Sequence, residues 1–202
     1  MSDYGVKTAK IYDPLLHIFI HSLRKRILKI IQENAYENIL DVCCGTGNQL
    51  KMLQKHGIPA TGIDLSKEML DVANSSDAHC LEQNAESIEF DENTFDLVMT
   101  TFALHEKSNE SARMILDEMS RVSKKGGHLM IVDYAIPKSR LNISRKVVDF
   151  IEYLAGDEHY GFYKEYTQSG GLNYLLKGLP LKEIKTIKAL SGNVEIKLME
   201  LI

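Results

Sequence analysis

The sequence predicts a doubly wound α/β fold, in which a mostly parallel sheet carries helices on both faces and ends in an antiparallel C-terminal hairpin. Short apolar runs alternate with helical patterns from Ile39 to Tyr134, as expected for strands joined by right-handed helical crossovers. The first run breaks into Gly-Thr-Gly directly before a helical pattern. A chain of 202 residues with 44% hydrophobic residues buries one core, so we predict a single domain over 1–202.

The first predicted element is a helix over about 14–34. Asp13 is a capping acceptor and Pro14 suits the first helical turn. Apolar residues then recur at spacings of mostly three and four, at Leu15, Leu16, Phe19, Leu23, Ile27, Ile30 and Ile31. The basic cluster Arg24 to Lys29 falls within this pattern and is interpreted as the solvated face of the helix.

Five strands and three helices follow in alternation. The apolar runs predict strands over 38–43, 60–64, 78–83, 95–102 and 128–134. Helical periodicity predicts helices near 47–56, 66–74 and 109–124, the last capped by Asn109 and stopped by Gly126-Gly127.

The rest of the chain divides into two parts. A tyrosine-rich segment over about 138–178 predicts helices and loops that form a lid or substrate segment. The tail around Ser191-Gly192-Asn193 predicts two strands, which we expect as an antiparallel hairpin at the sheet edge.

The charge balance excludes several classes of partner. With 24 basic and 28 acidic side chains, the net charge of -4 offers no general attraction for nucleic acid or an anionic membrane. The first residues lack a secretory pattern, and no stretch approaches the length of a membrane span. We therefore expect a cytoplasmic protein with a small-molecule substrate and no stable membrane insertion; the oligomeric state stays open.

The cysteines and histidines favour packing over metal chemistry. Cys43, Cys44 and Cys80 are an odd number without a Cys-x-x-Cys pair, which argues against a disulfide framework or a zinc site. Seven histidines show no cluster at ligand spacing, so no metal is predicted. Adjacent Cys43 and Cys44 are expected on opposite faces as small hydrophobic groups.

The glycine turn limits the classes of ligand that this chain is expected to bind. Gly45 and Gly47 allow a ligand to approach the backbone at the carboxyl end of the first strand. A dinucleotide fingerprint needs a third glycine where Leu50 stands, and the Lys-Ser/Thr pair of a P-loop is absent because Asn48-Gln49 follow.

The stretch Asp41-Val42-Cys43-Cys44-Gly45-Thr46-Gly47 resembles motif I of the class I S-adenosylmethionine (SAM) methyltransferases, whose domain is Rossmann-like. The resemblance runs from about Tyr12 to the C-terminus. It implies SAM as cofactor and S-adenosylhomocysteine (SAH) as product. Asp64, in "TGIDLS", stands where the family's acid binds both ribose hydroxyls.

The same resemblance implies the remaining cofactor contacts. "QNAESIEF" matches the segment that flanks adenine, with Asn84 where Asp is common. Asp41 is expected to orient the glycine loop and to reach the methionine amino group. The full expected set is Tyr12, Asp41, Cys43, Gly45, Gly47, Asp64, Leu65, Met69, Asn84, Ala85 and Thr101.

The acceptor side is less defined. The fourth strand ends in "TFALHE", and the absence of Asp/Asn-Pro-Pro-Tyr there argues against amino-methylation of adenine or glutamine. The "ALH" ending, "IYDPLL" and "AGDEHYGFYKEYTQSGGL" resemble the ubiquinone/menaquinone-biosynthesis (UbiE-like) branch. His105 is the candidate general base, or else a residue that binds loop backbone. His159, Tyr160 and Tyr163, with Tyr153 and Tyr166, form a possible aromatic substrate wall.

Three functions remain open from the sequence. The first is methyl transfer to a small, partly apolar acceptor, quinone-like or another metabolite, at carbon, oxygen, nitrogen, sulfur or a metalloid. The second is a non-catalytic module that binds SAM or another metabolite. The third is an NAD(P)-dependent oxidoreductase, which Leu50 and the absence of a Tyr-x-x-x-Lys pair disfavour.

Overall fold

The structure is a computed structural model that describes the backbone of residues 6–75, 78–136 and 143–202, and their side chains except those of 6–19, 143–145 and 147. The chain divides into two compact units, Met1–Ala35 and Tyr36–Ile202. The single domain predicted over 1–202 stays a prediction.

The first unit consists of helix α1, Val6–Asn34, which begins eight residues before the predicted start at 14. Pro14 therefore lies inside the helix, and the capping argument from Asp13 was wrong. Near its end, the Asn34 side chain donates to the Ile30 carbonyl at 2.8 Å. Within the basic cluster, Lys25, Arg26 and Lys29 are exposed, as expected for a solvated helix face.

The second unit is built on a seven-stranded sheet in the order β3-β2-β1-β4-β5-β7-β6. Strands β1 to β5 are mutually parallel, and β7 pairs antiparallel with both β5 and β6. This confirms the predicted mostly parallel sheet with an antiparallel hairpin at its edge. The strands are β1 Ile39–Val42, β2 Thr61–Asp64, β3 Cys80–Glu82, β4 Phe95–Thr101, β5 Ser123–Tyr134, β6 Leu181–Ala189 and β7 Val194–Leu201.

The helices of this unit are α2 Asn48–Lys55, α3 Lys67–Asn74, α4 Asn109–Val122, α5 Ile143–Leu154, α6 Asp157–Ser169 and α7 Leu172–Leu175. Ser108, not Asn109, caps α4, because its hydroxyl accepts from the Ser111 amide at 3.1 Å. Helix α4 ends at Val122 because Ser123 is already extended, so Gly126-Gly127 lies inside β5 instead of ending the helix.

Among the described residues, apolar side chains form two clusters around the sheet. The larger includes Leu40, Val42, Val98 and α4 residues such as Leu116, and the smaller joins Leu50, Leu70, Ala73, Ala78 and Cys80. Cys43 packs against the larger cluster and Cys44 against the smaller. The two adjacent cysteines therefore serve separate packing regions, as the sequence predicted.

Membrane insertion can be judged only for the part of the chain that the structure describes. Among those helices, none combines the length and the apolar character that a bilayer span requires.

Candidate functional site

The candidate site lies at the edge of the sheet where β1 to β5 end. Because these strands are parallel, the residues at their carboxyl ends share one edge, which is where open α/β sheets bind ligands. Asp64 and Thr101 are the last residues of β2 and β4. Gly45, Asn84 and His105 follow the ends of β1, β3 and β4. The fold thus brings the two predicted halves of the site, cofactor and acceptor, to one edge.

The loop after β1 is held by backbone hydrogen bonds and by left-handed residues. The Cys44 amide donates to the Ile63 carbonyl at 3.0 Å, and the Gly47 amide to the Cys44 carbonyl at 3.0 Å. Gly47 has φ +66°, and a Cβ there would lie 3.0 Å from the Cβ of Ala78. Gly45 has φ +55° and nothing within 4 Å of a Cβ position, so its outer side is open to a ligand.

Asp64 anchors this loop. One carboxylate oxygen accepts from the Gly45 amide at 2.7 Å, and the other accepts from the Ser66 amide at 2.9 Å. The side-chain cap of α3 is Ser66, which accepts from the Met69 amide, so Asp64 is not the helix cap. Each carboxylate oxygen has a further lone pair, which leaves Asp64 able to accept two more hydrogen bonds.

The other predicted cofactor residues differ in exposure. Leu65 is 64% exposed and Met69 half-buried. Asn84 is exposed, and its side-chain oxygen accepts from the Glu86 amide at 3.0 Å, while Ala85 is buried. The hydroxyl of Thr101 is buried without a hydrogen-bond partner in the structure.

Two predicted cofactor residues stand apart from this set. Asp41 is buried inside β1, one residue before the strand ends, and its reach to a ligand stays a prediction. The side chain of Tyr12 lies outside the described residues.

The cysteines lack the character of nucleophiles. Burial, with Asp64 as the next cause, raises the pKa of Cys43 to about 12. Burial also raises the pKa of Cys44 and of Cys80, whose sulfur atoms lie 3.6 Å apart. Cys43 has φ +59°, a conformation that favours glycine, which explains why motif I has glycine at this position.

His105 is fixed by Asp133 of the neighbouring strand β5. The two are joined at 2.6 Å between His105 Nδ1 and an Asp133 oxygen. The other Asp133 oxygen accepts from the amides of Leu104 at 3.1 Å and His105 at 3.3 Å. The His105 ring thus binds a side chain, not loop backbone, and its Nε2 atom faces away from Asp133. Burial lowers the pKa of His105, but Asp133 outweighs it and the pKa rises to about 9.

Glu152 of α5 and His159 of α6 meet His105. The Glu152 Oε2 atom is hydrogen-bonded to His159 Nε2 and lies 3.8 Å from His105 Nε2. The Glu152 Oε1 atom accepts from the Tyr134 hydroxyl at 2.7 Å. Burial raises the pKa of Glu152, but the hydrogen bond from His159 and the charge of His105 outweigh it and lower the pKa.

Aromatic rings surround His105 and continue to the surface. His159 lies 5.7 Å from His105 between ring centroids, and Tyr163 lies 6.3 Å away. Tyr160 stacks on Tyr163 at 6.3 Å, and exposed Tyr153 meets Tyr160 at 5.5 Å. The structure therefore brings the predicted aromatic residues together beside His105, while their contact with a substrate stays a prediction.

Three partners of His105 were missed from the sequence: Asp133, Tyr134 and Glu152. Asp133 carried a usable signal, because a charged residue near the carboxyl end of the apolar run "HLMIVDY" adjoins the end of β4. Glu152 gave no such signal. The prediction of no metal rested on sequence spacing, which does not detect ligands that come from separate elements.

A cavity of about 370 Å³ lies at the opposite edge of the sheet, lined by residues such as Asn38, Gln54 and Thr61. It is lined by the first residues of β1, β2 and β4, whereas open α/β sheets bind ligands at the carboxyl ends of their strands, so the cavity is not part of the candidate site.

The sequence is similar to known methyltransferases. Residues 39–127 match the methyltransferase domain family. The chain is 35% identical over 124 residues to the demethylmenaquinone methyltransferase of Listeria welshimeri, covering 56% of this chain and 52% of that protein. It is 29% identical over 142 residues to that of Thermotoga maritima, covering 66% and 61%. The chain thus spans about half to three fifths of the length of these relatives.

Solved structures share the fold. Magnesium protoporphyrin IX methyltransferase from Synechocystis, with bound SAH, superposes with a TM-score of 0.71 at 14% identity, over 96% of this chain and 92% of that one. A SAM-dependent methyltransferase from Aquifex aeolicus gives 0.60 at 21% identity, over 97% of each chain. These likenesses confirm the predicted fold. The domain match and the relatives confirm the predicted resemblance to the methyltransferases.

Proposed function

We propose that this chain, which carries a methyltransferase domain over residues 39–127, is a SAM-dependent methyltransferase that acts on a small, partly apolar acceptor. The observation that carries the proposal is the joining of the glycine loop to Asp64 at the same sheet edge as His105. Bound SAM supplies an electrophilic methyl group on its sulfonium, so the residues mainly position the acceptor and exclude water.

The cofactor half fits such a ligand. Gly45 leaves its outer side open, and Asp64 retains lone pairs for two ribose hydroxyls. The exposed Leu65 and half-buried Met69 offer apolar contact to the adenine, and the exposed Asn84 offers its amide to the ring edge. The buried Thr101 hydroxyl, at the end of β4, has no hydrogen-bond partner in the structure and is able to donate a hydrogen bond to the ligand.

The acceptor half favours a flat or aromatic molecule. The tyrosine rings that lead from the surface to His105 form an apolar path with polar ends. Phe150 and Leu154 on α5 are also exposed. Relatives named as demethylmenaquinone methyltransferases support a quinone-like acceptor within this class.

His105 is the candidate for the acceptor proton. Because the pKa of His105 is raised to about 9, only the deprotonated fraction of the ring can act as a base; in that fraction Asp133 accepts from Nδ1–H and Nε2 presents its lone pair. The buried Asp133 then stabilises the imidazolium that forms when Nε2 takes the proton.

Calorimetric titration with SAM and SAH tests the cofactor half. The Asp64→Ala variant is expected to bind SAM more weakly by ~1 to 3 kcal/mol, about 5- to 150-fold, through lost charge-assisted hydrogen bonds. Asp71→Ala, at an exposed position of α3, is the matched control and should bind like the original chain. Absence of binding at millimolar SAM would refute the proposal.

Turnover on a panel of small aromatic hydroxyl, thiol and quinol acceptors tests the acceptor half. His105→Ala should lower turnover and spare SAM binding. If turnover per folded molecule stays intact, the assigned role of His105 is wrong. Binding of SAM without transfer to any acceptor would instead point to a non-catalytic binding module.

A further inference from the structure

We propose that His105, Glu152 and His159 form a binding site for one divalent transition-metal ion, of which Zn²⁺ is the reference case. Their ligand atoms all lie within 4.8 Å of one another. All three side chains are buried, at 2%, 4% and 7% exposure. They come from the turn after β4, from α5 and from α6, so the fold itself assembles the set.

The orientation of His105 is that of a metal ligand. Metal-binding histidines typically donate their second ring N–H to a carboxylate, which fixes the tautomer and turns the free nitrogen to the ion. Asp133 supplies that carboxylate at 2.6 Å from Nδ1. Asp133 is itself held by the amides of Leu104, His105 and Tyr134, the last at 2.7 Å.

The carboxylate of Glu152 is also held in place by a hydrogen bond. The Tyr134 hydroxyl donates to its Oε1 atom, which leaves Oε2 directed at both imidazoles. In the metal-free chain, the proton of the hydrogen bond between Glu152 Oε2 and His159 Nε2 lies between these two ligand atoms. An ion bound among the three atoms takes the place of that proton, and binding releases it.

The ligand set indicates the class of ion. Two imidazole nitrogens and one carboxylate, with open positions, are typical of catalytic zinc and of non-haem iron sites. Mg²⁺ and Ca²⁺ prefer oxygen ligands and are disfavoured. The Glu106 carboxylate, 3.9 Å from His105 Nε2 and 43% exposed, lies where it can reach the ion or its water.

A role in the reaction rests on the proposed function, whereas metal binding does not. A hydroxyl or thiol acceptor on the open position gives its proton to solvent. Its lone pair then forms the bond to the methyl carbon, while the electrons of the broken carbon–sulfur bond stay on sulfur. Metal binding and proton acceptance exclude each other at His105 Nε2, so loading the site replaces the base role.

Calorimetric titration of the chelator-treated full chain with ZnCl₂, and separately with MgCl₂, tests the site. We expect one Zn²⁺ per chain and no binding of Mg²⁺. Glu152→Gln and His159→Gln should each weaken Zn²⁺ binding by at least about tenfold. His79→Gln, at an exposed histidine, is the control and should bind Zn²⁺ unchanged. Equal Zn²⁺ affinity in all variants, or none in the original chain, would overturn the proposal.

Two further measurements separate the metal site from the proposed function and from zinc binding at the cysteines. SAM affinity of the same variants should be unchanged; if SAM fails to bind while Zn²⁺ does, the proposed function falls and the metal site stands. Zinc held by the neighbouring thiols of Cys44 and Cys80 would survive His159→Gln and disappear in Cys44→Ser, which would refute the assignment.

Co²⁺ loading tests the original chain without any substitution. Ions held by the two imidazoles and the carboxylate should show visible d–d absorption stronger than that of hydrated Co²⁺, without a thiolate charge-transfer band. A spectrum identical to that of hydrated Co²⁺ would contradict the site.

Discussion

Gly62, in the middle of β2, is a position where one added methyl group has a calculable consequence. A Cβ there would lie 2.5 Å from Leu50 Cδ1, 2.6 Å from Cys44 Sγ and 2.9 Å from Cys44 Cβ. The end of Leu50 can rotate away, but Cys44 Cβ is attached directly to the glycine-loop backbone. The Gly62→Ala variant must therefore push the loop away from β2.

The expected cost follows from overpacking of a tight core. Inserted carbon atoms typically destabilise by about 1–3 kcal/mol. For a unit of this size that lowers the melting temperature by about 2–12 °C. Because Cys44 belongs to the loop that Asp64 anchors through Gly45, SAM binding should weaken as well.

The assay is thermal unfolding by circular dichroism, with a second substitution that identifies the cause. Cys44→Ala removes the sulfur and keeps the Cβ, so Gly62→Ala should cost about 0.5–1 kcal/mol less in that background. Gly161→Ala is the matched control: it lies inside α6 with nothing within 4 Å of its Cβ position and should stabilise slightly. An unchanged melting temperature for Gly62→Ala would refute this reasoning.

Two other predictions concern charge and thiol reactivity. Asp96 accepts from Lys124 at 2.5 Å and from the Asn38 amide at 2.9 Å, and Lys124 with that backbone lowers its pKa. Asp96→Asn should therefore cost about 1–3 kcal/mol of unfolding free energy at pH 7. The difference should shrink below about pH 4, where the carboxylate of the unfolded chain takes up protons first, and should be lost once the pH falls through the lowered pKa of the folded chain; a constant difference in urea unfolding would contradict this. Cys43 and Cys44 should be alkylated by iodoacetamide at pH 8 much more slowly in the folded than in the unfolded chain, because burial raises both pKa values; equal rates by mass spectrometry would refute it.

Elements that depend on neighbouring residues were predicted well. The strand patterns, the glycine loop and Asp64 are encoded within short stretches, where apolar periodicity and glycine placement act locally. Boundaries were less accurate. Helix α1 begins at Val6, so Pro14 lies inside it, and α4 is capped by Ser108 because its hydroxyl reaches the Ser111 amide.

The sequence by itself determined the fold class, the glycine loop and the packing of the two adjacent cysteines in different regions, since each follows from periodicity or from backbone conformation over a few residues. Tertiary structure alone decided the surroundings of His105. Asp133 lies 28 residues away and Glu152 contacts His159 from another helix. Such contacts depend on how the parallel strands and the later helices pack together. The spacing of residues along the chain therefore does not predict them. The cluster of His105, Glu152 and His159 was therefore visible only in the folded chain.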